Sequence, residues 1–377
     1  MFAPLTGRRL ARPGRIAWGA GILAVAVCVI VVAALASGTA GAAGTGARAV
    51  WHKPLKGPAL MVVGDSISQG SAGDFTWRYR LYRQLVASGE RPDMVGPRSD
   101  LYDNVNERQG DFDYADPAFD SDHDAVWGRL LASAADTIAD EMAAARPDYL
   151  LVLLGTNDLA SGDSATVAET SLRRFVANAR TRNGGVKIVL GTLLPTAKSL
   201  TDSDLAGRID DYNGRLVRVA AELSTKASPI VVAETGRGVD VAADLYDGTH
   251  PNARGEYKIA AAFAEALAGK FGLGRPIPAP LPDVPVGPRT APQLTGEVGA
   301  GIATLSWTPS PGATAYWLWQ RVAGTATFSR VPGSLSPSQR QWASAALNRG
   351  VAYEFQVQPV KVDDAGAVSN VIRITTT

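Results

Sequence analysis

Cysteine is nearly absent from this chain. Among 377 residues the only one is Cys28, and it lies inside an apolar run near the N-terminus. The rest of the chain therefore holds no disulfide, no thiolate metal site and no cysteine nucleophile. Histidine is almost as scarce: His52, His123 and His250 are all there are, so chemistry that needs an imidazole must use one of these three. Charge of one sign is lacking too. The 37 basic and 36 acidic residues leave a net charge of +1, without the basic excess that marks a nucleic-acid binder, and no nucleic-acid partner is expected. What remains, 46% hydrophobic and 19% charged, is an ordinary globular balance in a chain long enough for two domains.

The first 46 residues concern targeting. Arg8, Arg9, Arg12 and Arg15 precede an uncharged run, Ile16 to Ala36, of 21 residues. A helix needs about 20 apolar residues to cross a bilayer. Small-residue sites follow at Ala34-Leu35-Ala36 and Ala40-Gly41-Ala42. The length of the run suits a retained membrane anchor, and the small-residue sites suit a cleaved signal peptide. Either way the arginines stay in the cytoplasm and the remainder is exported, secreted or anchored with its bulk outside. Contact with a membrane is expected only through this segment, if it is uncleaved. Residues 47–57 read as a linker.

Residues 58–272 alternate strands and helices. Ala59–Val63, Asp148–Leu154, Val186–Leu190 and Ser228–Ala233 are continuous apolar runs, the pattern of strands buried on both faces in a parallel sheet. Helical spacing separates them at Trp77–Ala87, Trp127–Ala145, Ala165–Arg180, Leu205–Leu223 and Glu256–Phe271. This alternation predicts an α/β fold, a three-layer α/β/α sandwich with right-handed crossovers. Ligands bind such sheets beyond the carboxyl ends of the strands. There stand Gly64-Asp65-Ser66, Gly155-Thr156-Asn157-Asp158 and, before the last helix, Asp247-Gly248-Thr249-His250.

Those residue types suit acyl transfer. A serine hydroxyl becomes a nucleophile when a base takes its proton. The base needs a carboxylate on its far ring nitrogen to orient it. Asp247 lies three residues before His250, so one tight loop can join them. Ser66, His250 and Asp247 are thus the candidate triad. Donors for the oxyanion are the amides of Ser66 and Gly128 and the side chain of Asn157. Taken singly, each has a plainer explanation: Ser66 fits a helix N-cap, Asn157 and Asp158 fit a turn, and Gly128 alone says almost nothing.

Taken together, the blocks resemble the SGNH, or GDSL-type, hydrolase superfamily over residues 58–272. The first block is Gly64-Asp65-Ser66-Ile67-Ser68-Gln69-Gly70, the third Gly155-Thr156-Asn157-Asp158, and the last Asp247-Gly248-Thr249-His250-Pro251-Asn252. The resemblance implies a flavodoxin-like fold and ester hydrolysis through Ser66, His250 and Asp247. It also implies an oxyanion hole of Ser66, Gly128 and Asn157. The second block departs from the usual Gly-x-Ser-Gly form: in His123-Asp124-Ala125-Val126-Trp127-Gly128 only the glycine matches, and Trp127 replaces a small residue as a bulkier cleft wall. Gly73-Asp74-Phe75-Thr76-Trp77-Arg78-Tyr79-Arg80, Val95-Gly96-Pro97-Arg98 and the stretch Phe119 to Gly128 resemble the carbohydrate-esterase branch, family 3 acetyl-xylan esterases in particular. That implies a sugar-linked acetyl ester as substrate. No Gly-x-Ser-x-Gly elbow occurs, which argues against an α/β-hydrolase fold.

Six aspartates crowd Asp111 to Asp124 around His123. The EF-hand pattern fails there, with Ala125 and Leu131 at its glycine and glutamate positions. A solvated or substrate-facing insertion is expected, with His123 as the only rival base. No metal or cofactor is expected. Residues 273–293 form a proline-rich linker. Residues 294–377 change to short alternating strands, Ala303–Trp307, Ala315–Arg321, Tyr353–Val360 and Asn370–Thr375, which predict an immunoglobulin-like β-sandwich. This part resembles a fibronectin type III domain, with Trp307 and Tyr316 in its core and Leu347 and Tyr353 as its tyrosine corner. Trp317, Trp319 and Trp342 read as framework packing rather than a sugar platform.

Three functions follow as expectations. The first is an exported esterase acting on acetylated carbohydrate, with a small-molecule or polysaccharide ester as substrate. The second is a lipid esterase or lysophospholipase with the same triad. The third is a non-catalytic surface protein that contacts polysaccharide or a cell surface through the fibronectin type III domain.

Overall fold

The structure, a computed structural model, describes residues 57–376. The expected export segment, with Cys28 and His52, lies outside the described residues. Among the described residues no helix is long and apolar enough to cross a membrane.

The chain opens with β1 (Ala59–Gly64), α1 (Ser66–Gln69), α2 (Thr76–Ala87) and β2 (Asp93–Met94). A hairpin of β3 (Leu101–Asp103) and β4 (Arg108–Asp111) follows, then β5 (Asp124–Ala125). Next come α3 (Leu131–Ala145), β6 (Tyr149–Leu153), α4 (Thr156–Ala160), α5 (Ala165–Arg182) and β7 (Lys187–Gly191). The α/β part ends with α6 (Ser203–Leu223), β8 (Ile230–Ala233), α7 (Val241–Asp244) and α8 (Ala253–Phe271). Its strands pair in parallel in the order β2-β1-β6-β7-β8, with β5 on β1 further along. Leu60–Val63 and Leu150–Leu153 are buried throughout, as continuous apolar strands between two helical layers must be. Trp77 of α2 stacks on Phe263 of α8, ring centroids 4.6 Å apart.

Strand order reverses between β1 and β6. From β1 the chain moves outward to β2, and from β6 it moves the other way to β7 and β8. Adjacent loops diverge at such a switch point and leave a crevice. Ser66 follows β1 and Asn157 follows β6, so both sit at its mouth.

Most predicted helices differ from the observed ones by one to three residues at an end. The exception is α3, expected from Trp127 and observed from Leu131. Gly128 sits at φ +77°, which breaks the helix, and the amide of Leu131 is taken by both oxygens of Asp158, at 3.1 and 3.0 Å. A carboxylate from α4, distant in sequence, fixes where α3 starts.

The C-terminal part holds β9 (Leu294–Gly299), β10 (Ile302–Trp307), β11 (Ala315–Val322), β12 (Ser329–Arg330), β13 (Gln341–Ala343), β14 (Ala352–Lys361), β15 (Asp364–Ala365) and β16 (Ile372–Thr375). They form two antiparallel sheets, β13-β10-β9 and β12-β11-β14-β15, with β16 also on β14. Leu305, Trp307, Tyr316, Leu318, Phe355 and Val357 pack between them, which makes a β-sandwich. The Tyr353 hydroxyl faces the Asn348 amide at 3.5 Å. Trp317 lies under the Arg330 guanidinium, Trp319 donates to Gln358, and Trp342 leans on Phe355. The proline-rich stretch lies along the α/β part: Gln84 donates to the carbonyls of Arg275 and Pro276, and Arg254 pairs with Asp283.

Asp65 caps α1, accepting from the Ile67 amide at 3.0 Å. It is 1% exposed. Burial pushes its carboxyl up to about 7, against the pull of that amide and of His250. The folded chain therefore keeps this proton over a range where the unfolded chain has released it, and stability falls as pH rises from about 4 to about 7. Asp65→Asn keeps a capping oxygen without the titration. Its stability relative to wild type is expected to rise by on the order of 2 kcal/mol between pH 5 and pH 8. Urea unfolding at the two pH values measures this, and a constant difference contradicts a buried, protonated Asp65.

Candidate active site

The turn from β1 into α1 presents Ser66. Because Asp65 is the cap, Ser66 is the first helical residue rather than the cap its type alone suggests. Its amide is one of those a helix leaves without an internal acceptor, and its hydroxyl is left free of the cap. The far end of α1 is held by Arg78, which is fully buried. Its guanidinium donates to the carbonyls of Ser68 at 2.8 Å and Gln69 at 3.1 Å, and also to Ser121 and Tyr114.

The second arm of the site is a tight loop before α8. The Tyr246 amide donates to the His250 carbonyl at 3.0 Å, closing it. Inside the loop Asp247 Oδ1 accepts from the amides of Thr249 at 3.0 Å and His250 at 2.8 Å. Its Oδ2 lies 2.7 Å from His250 Nδ1, and His250 Nε2 lies 2.9 Å from Ser66 Oγ. Partial burial opposes ionisation of Asp247, yet the bond and charge of His250 and the two amides outweigh it and hold the carboxyl below its ordinary value. An ionised carboxylate only accepts hydrogen bonds. Nδ1 therefore carries a proton, and Nε2 of the neutral ring is left to accept from the Ser66 hydroxyl. The structure thus brings together the three residues that the sequence singled out from distant blocks.

Aromatic rings hold the imidazole in place. Trp127 stacks on His250, centroids 4.3 Å apart at 23°, and on Tyr102 at 4.2 Å and 16°. Tyr246 lies beyond His250 at 5.8 Å. The Trp127 amide donates to Gln69 at 2.7 Å, which ties this wall to α1. Trp127, expected only as a bulkier wall, therefore also orients the ring. Gln69, Arg78 and Tyr246 were not singled out for any such support, since nothing in their spacing marks them.

The expected oxyanion donors lie on separate turns: Ser66 after β1, Gly128 before α3 and Asn157 after β6. Gly128 is exposed in the turn before α3, and among the described residues no acceptor takes its amide. Its φ of +77° is costly for a residue with a Cβ. Asn157 lies in the first turn of α4 and donates to the Arg129 carbonyl at 3.2 Å, leaving a second N–H. Asp158 beside it caps α3 and so fixes the Gly128 turn.

His123 does not serve as a base. It is fully buried, its Nε2 meets the Asp100 carbonyl at 2.9 Å, and its Nδ1 accepts the Ala125 amide at 3.0 Å. Burial, with nearby Arg78, lowers its pKa well below the usual value. The acidic stretch is largely engaged in protein contacts. Asp116 accepts from Tyr79, Asp120 from the Met94 amide, and Asp124 pairs with Arg129 at 2.7 Å. Among the described residues no group of three or more His, Cys, Asp or Glu is arranged to hold a metal ion.

Residues 62–258 match the model of the GDSL-like Lipase/Acylhydrolase family. A multidomain esterase from Ruminococcus flavefaciens is 27% identical over 221 residues, 56% of this chain and 28% of that protein. The chain therefore spans under a third of that relative's length. Among solved structures, a carbohydrate esterase family 3 protein from Talaromyces cellulolyticus aligns at 28% identity and a TM-score of 0.47, over 56% of this chain and 97% of its own. A family 3 carbohydrate esterase from Clostridium thermocellum aligns at 22% and 0.46, over 56% and 96%. The family match takes in just over half of the sequence and every one of the expected site residues, and this chain belongs to the GDSL-like lipase/acylhydrolase family.

Proposed function

We infer that Ser66 is the nucleophile, His250 the general base and acid, and Asp247 the group that orients His250. The single observation that carries this is the continuous chain Asp247 Oδ2, His250 Nδ1, His250 Nε2, Ser66 Oγ, with contacts of 2.7 and 2.9 Å. Ser66 Oγ attacks the ester carbonyl carbon as its proton passes to Nε2. The carbonyl oxygen becomes an oxyanion, met by the amides of Ser66 and Gly128 and the side chain of Asn157. The carbon–oxygen bond to the alcohol then breaks, and the alcohol leaves with the proton from Nε2. Water repeats the cycle on the acyl-serine, giving its proton to Nε2, and Ser66 recovers that proton as the acid departs.

The substrate in this reading is a short-chain, carbohydrate-linked ester, acetyl above all. The narrow space beside Ser66, lined by Gly70, Ser71, Trp77 and Pro251, holds about 10 Å³, room for about one water molecule. An acetyl group suits it better than a long acyl chain. An open groove of about 400 Å³ leads from Trp127 and Tyr102 to Asn104 and Glu107. Aromatic edges beside polar groups suit a sugar alcohol. The carbohydrate esterases that this chain resembles support the same reading. The reading also takes the chain as exported by its N-terminal segment, and residues 294–377 as a fibronectin type III domain joined to the catalytic domain, 58–272, by the linker.

An ester series from C2 to C12 and acetylated xylan, assayed with wild type and variants, tests this. Wild type should prefer C2 and release acetate from xylan, and Ser66→Ala should lower kcat by about 10⁴-fold or more. Asn157→Ala should lower kcat about 10²- to 10³-fold with little change in KM. Equal acetate release by Ser66→Ala overturns the mechanism. Activity that rises toward C12 transfers the assignment to lipid esters.

A further inference from the structure

The turn between β14 and β15 reaches from the C-terminal sandwich to the triad. Lys361 is 4% exposed. Its ammonium pairs with Asp74 at 2.7 Å, donates to Ser71 Oγ and lies 4.2 Å from the centroid of the Tyr246 ring. Ser71 and Asp74 belong to the loop that leaves α1, and Tyr246 directly precedes Asp247. One lysine thus joins the loop behind Ser66 to the loop that carries His250. Three residues on, Asp364 accepts from Asn252 at 3.1 Å, and Asn252 caps α8 two residues after His250. Both flanks of the His250 loop are therefore held from the sandwich.

The two parts meet closely enough to fix this docking. A Cβ at Gly73 would fall 2.5 Å from the Pro311 carbonyl oxygen, and one at Gly312 would fall 2.1 Å from that of Ala72. A buried ammonium without its carboxylate is costly, so Lys361 resists withdrawal.

The tip of the turn is as informative as its base. Lys361 pairs with Asp364 across a two-residue loop, Val362-Asp363. Val362 has φ +57°, a position where such hairpins use Gly or Asn and a β-branched residue is strained. Its amide donates to Thr314 at 2.7 Å, and the residue is 44% exposed. Val362 and Thr314 line the open groove together with Trp127, Tyr102, Asn104 and Tyr246. A strained, exposed valine beside a catalytic groove points to function rather than to packing.

We propose that this turn completes the substrate site of the esterase: Lys361 is a positioning residue that sets the Ser66 and His250 loops against each other, and Val362 with Thr314 is the wall that selects the alcohol half of the ester. This rests on the carbohydrate-ester reading above. The experiment compares methyl acetate, which has almost no alcohol half, with an acetylated xylooligosaccharide. Lys361→Met should lower kcat about ten-fold or more on both, with KM changed far less, because it misaligns reacting groups. Val362→Gly relieves the backbone strain, so its melting temperature should not fall. It should raise KM for the oligosaccharide at least about three-fold more than KM for methyl acetate. If Lys361→Met fails to fold, Val362→Gly still decides. Unchanged constants for Val362→Gly on both substrates, from a wild type that cleaves both, overturn this proposal alone. A wild type that cleaves neither removes the carbohydrate-ester reading and the proposal with it.

Discussion

The contact between His250 Nε2 and Ser66 Oγ joins residues 184 positions apart, and the surrounding structure is organised to keep it short. Ser66 is fixed by the β1–α1 turn, His250 by the five-residue loop closed from Tyr246. Neither loop can position the other. Alignment comes from what lies between them: the crevice where strand order reverses, the stack of Tyr102, Trp127 and His250, and Lys361 from the sandwich. In the proposed mechanism, an imidazole displaced by about 1 Å can lose two orders of magnitude in rate. Rigid aromatic packing on both sides of the ring is a direct answer to that demand.

Several buried charges surround this point, and their value is geometric. Arg78 ties the end of α1 to the acidic stretch, Arg129 ties Asp124 to Glu141, and Arg80 pairs with Glu256 at 3.1 Å. Buried ion pairs add little net stability, because desolvation offsets their attraction. Losing one partner is costly, however, so each pair locks the elements that carry it. The Thr76 amide also donates to Glu256 at 3.0 Å, which anchors α2 to α8 beneath the site. The acidic stretch, puzzling as a string of aspartates, becomes intelligible as acceptors for Tyr79, Met94 and Arg129.

Much of this was legible beforehand, for physical reasons that differ by residue. The strands were readable because apolar runs such as Leu150–Leu153 must be buried on both faces. Ser66, Asp247 and His250 stand out in the sequence because chemistry restricts residue type, and the fold brings them within hydrogen-bond reach of one another. The start of α3 was not, since a carboxylate from Asp158 sets it across 27 positions. His123 was open as a rival base until burial and two occupied ring nitrogens removed it. The sequence marks Trp127 only as bulk, because stacking depends on where His250 lies. Lys361 was invisible: its partners Ser71 and Asp74 are 290 and 287 positions away, and no local pattern distinguishes it from a surface lysine.

The central claim is that Ser66 is activated by His250. Labelling with a fluorophosphonate, followed by intact mass and peptide mapping of wild type and His250→Ala, addresses it without any choice of substrate. One adduct per chain on Ser66 in wild type, formed at least about 10³-fold more slowly in His250→Ala, is the expected result. No adduct, an adduct on another residue, or equal rates in the two proteins would contradict it.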